Sequence, residues 1–129
     1  MGTRLRTVYP VYPDDFIRKM KKAKSIKGMK FIQVLSPCPS GWKSHPEESI
    51  HISRMAVDSK IFPIFEVEEG QKYTINIKPK NIPVKNYLQV QGRFKHLTDE
   101  HIKRIQSDAD HNWEILLKKV EMGRSFSEN

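Results

Sequence analysis

The sequence predicts an α/β fold: part of a doubly wound domain running helix, buried strand, loop, helix, then a β-hairpin and a long C-terminal helix. Three observations point there. Phe16, Ile17, Met20 and Ala23 recur at helical spacing and are followed by Met29–Leu35, a segment rich in strand formers. Tyr73, Ile75 and Ile77 alternate beyond a glycine-containing turn. Ile102, Ile105, Ala109, Trp113, Leu116 and Val120 form one sustained stripe.

Residues 1–10 show no periodicity and read as an irregular lead-in. Pro13 with Asp14 and Asp15 opens the first helix, because proline fits its first position and acidic groups favour the N-terminal end of the dipole. Gly28 stops it, where a left-handed residue costs least. Met29–Leu35 (Met-Lys-Phe-Ile-Gln-Val-Leu) is rich in strand formers without clean alternation, which reads as a strand covered on both faces. Helix followed by such a strand is one turn of a parallel α/β sheet. A single strand wanting neighbours on both sides is an unfinished sheet, the first sign of a piece of something larger.

Ser36–Trp42 (Ser-Pro-Cys-Pro-Ser-Gly-Trp) reads as a shaped loop rather than helix or ladder strand, since two prolines remove donors and fix the backbone. It stands at the C-terminal end of a strand, where open α/β sheets place ligands. A second helix follows between Ser44 and Ser59, with Ser44 (capping-box spacing to Glu47) and Ser49 equally good as caps. Phe62–Glu68 and Lys72–Ile77 make the hairpin around Glu69-Gly70-Gln71. Pro83 starts a short helix through Val90. Thr98, with Asp99 and Glu100, caps the longest one, and Gly123–Asn129 reads as a frayed tail. The domain expected is thus residues 11–122.

The chain has 129 residues, 37% of them apolar, and a formal net charge of +8. That length supports one domain with its own core. Apolar runs of three or four residues exclude a membrane span, and the N-terminal residues lack a secretory pattern, so a cytoplasmic setting is expected. Seven of the thirteen residues Arg18–Lys30 are cationic and none is acidic. A nucleic-acid face is one reading. No aromatic or amide base-reader is interleaved there, which favours a solvated helix face and argues against nucleic acid as a partner.

One cysteine excludes an internal disulfide and any multi-cysteine metal site built from this chain alone. Cys38 is the reactive candidate: a thiolate is a soft ligand for zinc or iron and also a nucleophile. The proline on each side stiffens its presentation, which suits a ligand better than core filler. His45, His51, His96, His101 and His111 show neither a zinc pattern nor a diagnostic offset from Cys38, and read as surface residues. Carboxylates come as adjacent doublets near helix starts or in the hairpin turn. No phosphate-cradling glycine loop and no nucleophile elbow is present.

Several strings, in this order, resemble the C-terminal part of the β subunit of pyruvate:ferredoxin oxidoreductase (pyruvate synthase), in the family of thiamine diphosphate-dependent 2-oxoacid:ferredoxin oxidoreductases. They are Tyr-Pro-Asp-Asp-Phe (12–16), Lys-Lys-Ala-Lys (21–24), Ser-Pro-Cys-Pro-Ser-Gly-Trp (36–42), Ser-Arg-Met-Ala-Val (53–57), Pro-Val-Lys-Asn-Tyr-Leu (83–88) and Gln-Gly-Arg-Phe-Lys-His-Leu-Thr (91–98). Ile105-Gln106 and Trp113 also fit, so the likeness covers about residues 11–121.

The resemblance implies a partial thiamine-binding-type domain. It implies a role in oxidative decarboxylation of pyruvate, or another 2-oxoacid, to acetyl-CoA or its equivalent. Thiamine diphosphate, Mg²⁺ and coenzyme A would take part, with electrons passing through a 4Fe–4S cluster to ferredoxin. Cys38 would be the fourth cluster ligand, the other three lying in the N-terminal half of such a subunit. The Gly-Asp-Gly…Asn segment that binds Mg²⁺ and diphosphate in the family is missing here, as are the other three cysteines. One thiolate cannot hold a four-iron cube. The expectation is a chain inactive alone, partnered by other subunits or by the polypeptide carrying the N-terminal half. Two alternatives stay open: a non-catalytic remnant that self-associates, and a basic nucleic-acid-binding module.

Overall fold

A computed structural model of the chain describes residues 2–9 and 11–127. Four strands, β1 (Thr3–Val8), β2 (Lys30–Leu35), β3 (Phe65–Glu68) and β4 (Lys72–Ile75), form one mixed sheet in the order β2-β1-β3-β4. β1 and β2 run parallel, joined by helix α1 (Pro13–Ser25); β3 pairs antiparallel with both β1 and β4. Four further helices are α2 (Pro39–Trp42), α3 (Ser49–Asp58), α4 (Val84–Gln89) and α5 (Asp99–Ser127), with 3₁₀ turns at Pro46–Glu48 and Gly92–Phe94. The α/β class and the long last helix stand as the sequence predicts, and the hairpin does so with shorter strands than Phe62–Glu68 and Lys72–Ile77. α1 ends at Ser25 with an extended Ile26 as its C-cap, before the expected stop at Gly28.

Residues 3–8 correct the expected lead-in: they are a central strand, hydrogen-bonded on both sides. The alternation is present, with Thr3, Leu5 and Thr7 on one face and Arg4, Arg6 and Val8 on the other, but arginines conceal it in the sequence. The Arg6 charge is tolerated because aromatic rings cover it, the guanidinium lying 3.8 Å from the Phe62 ring centroid, while Arg4 stays exposed to water, 5.6 Å from the ring centroid of Phe31. Leu5 is fully buried between α1 and the sheet.

α1 meets the sheet largely through charge. Lys19 is fully buried; its Nζ lies 2.8 Å from Asp15 Oδ2 and donates to the Arg6 carbonyl at 2.7 Å. Thr7 Oγ1 donates to the same Asp15 oxygen at 2.7 Å. Arg18 and Lys22 reach Glu66 on β3 at 2.8 and 2.6 Å, and Lys22 also pairs with Glu68. Three of the seven cations read as a solvated face are therefore spent on the protein's own carboxylates. Asp15 lies in the first turn of α1, as the sequence predicts, and its carboxylate also turns to the sheet.

The other face carries the main core. Val8, Ile52, Met55, Ala56, Val57, Phe62, Ile64, Val84, Tyr87, Leu88 and Ala109 cluster where α3, α4 and the first half of α5 meet. Full burial of each large side chain contributes about 1.5–3 kcal/mol. α3 starts without either expected serine cap; Glu48 is its N-cap residue and no side chain bonds there. Thr98 does cap α5, its Oγ1 accepting from the His101 N–H, while His101 Nδ1 accepts from the Thr98 N–H. The second half of α5 lies on the hairpin, where Leu116 packs with Phe65 and Val67.

Gly123, expected to begin a frayed tail, is buried in α5 against the hairpin; a Cβ there would sit 2.9 Å from the Gln71 carbonyl oxygen. Helix continues to Ser127, and residues 128–129 lie outside the described ones. No helix among the described residues is long and apolar enough to cross a membrane.

β2 departs most from expectation. It pairs with β1 on one side only and ends the sheet, and a strand read as buried on both faces is largely exposed, although Leu35 packs on the main core. Phe31 is 57% exposed, Val34 40% and the preceding Met29 77%. Its composition matches a central strand and its position is an edge.

Candidate functional site

The chain leaves the C-terminal end of β2 and turns into α2, with Cys38 at the N-cap. The expectation that Ser36–Trp42 excludes helix is corrected by a single helical turn, Pro39–Trp42. Pro39 occupies the first position, where its missing N–H is no loss. The Trp42 N–H donates to the Cys38 carbonyl at 2.8 Å, and Ser44 N–H to that of Pro39 at 3.0 Å, closing a rigid turn.

Cys38 is exposed. Its thiol is held below the ordinary pKa, first by the Gly41 backbone N–H and then by the Ser40 hydroxyl, whose Oγ lies 3.7 Å from Sγ. Both contacts favour the thiolate, the form that ligates metal and attacks electrophiles. Gly41 permits the approach, because a Cβ there would stand 3.2 Å from Sγ.

The turn is anchored from fifty residues away. Trp42 is buried in the main core, and the Arg93 guanidinium sits 4.3 Å from its ring and 4.5 Å from that of Phe94. Arg93 Nε donates to Gln91 Oε1 at 2.8 Å; Gln91, itself buried, donates from Nε2 to the Tyr87 carbonyl at 2.7 Å. The Gly92 N–H donates to the Lys43 carbonyl at 2.9 Å, with the backbones so close that a Cβ on Gly92 would lie 2.7 Å from Lys43 Cβ. Lys43, which ends the turn, takes a positive φ of 51°.

The structure thus brings together the two most specific strings, Ser36–Trp42 and Gln91–Thr98. Sequence reasoning assigned a role to Cys38 alone. Gln91, Gly92 and Arg93 as the supports of its turn were missed, although their place in a shared string was the available signal. All five histidines are exposed. Among the described residues, no group of three or more His, Cys, Asp or Glu side chains could hold a metal ion. The chain's own donors therefore do not fit a complete iron–sulfur cluster; they offer one well-presented sulfur.

No family model matches the chain. Among curated proteins it is 53% identical over 106 residues to pyruvate synthase subunit PorB of Methanocaldococcus jannaschii, an alignment covering 81% of this chain and 35% of that one. It is 46% identical over 114 residues to ketoisovalerate oxidoreductase subunit VorB of Pyrococcus furiosus, covering 86% and 36%. Pyruvate synthase subunit PorB of the same organism is 37% identical over 124 residues, covering 81% and 38%. The chain spans little more than a third of the length of the curated relatives it matches.

Proposed function

Starting from homology, over most of the chain, with 2-oxoacid:ferredoxin oxidoreductase β subunits, we propose that the chain works as the C-terminal portion of such a subunit. In this reading Cys38 supplies one thiolate to a 4Fe–4S cluster whose other ligands come from a separate stretch of polypeptide. The same stretch would carry the thiamine diphosphate and Mg²⁺ site. The assembled enzyme would oxidise a 2-oxoacid to carbon dioxide and an acyl-coenzyme A, passing two electrons to ferredoxin. Pyruvate and ketoisovalerate, named for the relatives, share the 2-oxoacid group, which is the substrate class proposed.

The observation that carries this reading is the support of Cys38. The residues that fix its turn, Gly41, Trp42, Gly92 and Arg93, belong to the two strings that carry the resemblance. A half-buried structural thiol would need no such frame. The open edge of β2 supports the second part of the reading: Phe31, Ile32 and Val34 are exposed beside unpaired backbone groups, a surface suited to another strand. The polypeptide accounting for the remaining length of the relatives is the occupant proposed for that edge.

The test is anaerobic reconstitution with a chain bearing the N-terminal two thirds of such a subunit. Expected are a 4Fe–4S absorption band and 2-oxoacid-dependent reduction of a viologen dye, both lost with Cys38→Ser. Full cluster content with Cys38→Ser removes the ligand role. No complex with the companion, alongside dimers in equilibrium sedimentation, favours the self-associating alternative.

A further inference from the structure

Arg4 and Arg6, two residues apart on one face of β1, line a groove of about 460 Å³ between the sheet and α5. Lys60 and Lys119 also line it, and Asp108 is its one carboxylate among the described residues. Lys60 is already paired with Asp110, at 2.5 Å. Arg6 has no such partner among the described residues: its guanidinium lies against Phe62 and 5.5 Å from the Phe65 ring centroid, and its Nε is buried with no acceptor there. Burial first, and then the neighbouring charge of Arg4, pull the Arg6 pKa down to about 10. A cation withdrawn from water, beside a like charge and without a counter-ion, costs free energy that an oxyanion would relieve.

The remaining wall is mostly apolar, with Phe65, Tyr73, Ile105 and Leu116, and Asn112 adds one amide. The volume falls in the range of small-molecule sites, which pair an apolar lining with a few placed polar groups. The rings beneath Arg6 hold its plane, so little side-chain freedom remains to be lost when its planar fork meets a carboxylate or phosphate.

We propose that this groove binds a small organic oxyanion, its carboxylate or phosphate on Arg6 and Arg4 and its apolar body against Tyr73 and Leu116. The site stands apart from Cys38. Arg4 and Arg6 precede the strings that carry the family resemblance, so it does not rest on the function proposed above.

The test is titration of the full ¹⁵N-labelled chain, followed through its arginine Nε–H and backbone amide resonances. Three probes are used: phenyl phosphate, phenylacetate and inorganic phosphate. Expected is saturable movement of the Arg6 Nε–H signal with an organic anion, at lower concentration than with inorganic phosphate. Whichever organic probe saturates first identifies the oxyanion. Arg6→Gln should weaken that binding about tenfold or more, the effect of losing a charge-assisted pair. Lys119→Gln, at an exposed position, should weaken it a few-fold. Absence of saturable movement overturns the site, as does unchanged affinity in a folded Arg6→Gln chain. Should Arg6→Gln not fold, the exposed Arg4→Gln replaces it, and unchanged affinity there is equally fatal.

Discussion

The Arg93 guanidinium lies 4.3 Å from the Trp42 ring, joining the turn that presents Cys38 to a segment fifty residues downstream. Arg93 is clamped between Trp42 and Phe94 while its Nε donates to buried Gln91, so it supplies charge, planarity and a fixed donor together. Arg93→Ala should cost about 1–3 kcal/mol, through lost stacking and the unsatisfied Gln91. Arg93→Lys should not restore it, because an ammonium lacks the plane. Urea unfolding followed by tryptophan fluorescence measures both.

Cys38 should be alkylated as a thiolate at lower pH than an unperturbed thiol. Ser40→Ala removes one donor and should move the midpoint of the iodoacetamide rate profile upward. Gly41→Ala should move it further, since its Cβ would stand 3.2 Å from Sγ and disturb the N–H contact that contributes most. A midpoint unaffected by either change would show that these contacts do not tune the sulfur.

Lys19 and Asp15 form a buried pair beneath α1. Lys19→Met leaves the carboxylate with the Thr7 hydroxyl and with Arg18, 3.3 Å from its Oδ1, and should destabilise the chain by about 3 kcal/mol, the low end of the range for a buried pair broken on one side. Lys19→Met combined with Asp15→Leu removes both charges and should recover part of the loss. Chemical denaturation of the three variants measures the difference.

Burial alone would raise the Glu66 carboxyl. Hydrogen bonds and charge from Arg18 and Lys22 outweigh it and bring the pKa from 4.5 to about 2. A carboxyl depressed in the folded state contributes its full stability above the unfolded value, near 4.5, and loses it as pH falls toward 2. Stability measured across that window should fall with acid in the parent chain. Glu66→Gln should flatten that part of the profile and be less stable than the parent at neutral pH.

The free edge of β2 should make the chain associate at high concentration. Phe31→Lys with Val34→Lys places charge on that edge and should abolish association in equilibrium sedimentation. Both positions are exposed, so folding stability should change by only about 0.5 kcal/mol.

Local chemistry was written plainly enough for the sequence by itself to determine α1, the hairpin, α4 and α5. Pro13 and Thr98 mark helix starts, Glu69-Gly70 supports a turn with two positive φ values, and the α5 stripe repeats over several turns. The stiff, exposed presentation of Cys38 was legible for the same reason, because proline on each side constrains it whatever the remainder of the chain does. Partners distant in sequence decided the rest. The strand at Thr3–Val8 needs rings from positions 62 and 65 to shelter Arg6, and Lys19 is buried only because Asp15 and the Arg6 carbonyl meet it there. Arg93 reaches Trp42, and the groove gathers positions 4, 6, 60 and 119, by tertiary closure alone. Periodicity and capping act over a few residues and can be read along the chain. Compensation of buried charge, and the choice between a central and an edge position for a strand, depend on which surfaces meet once it has folded.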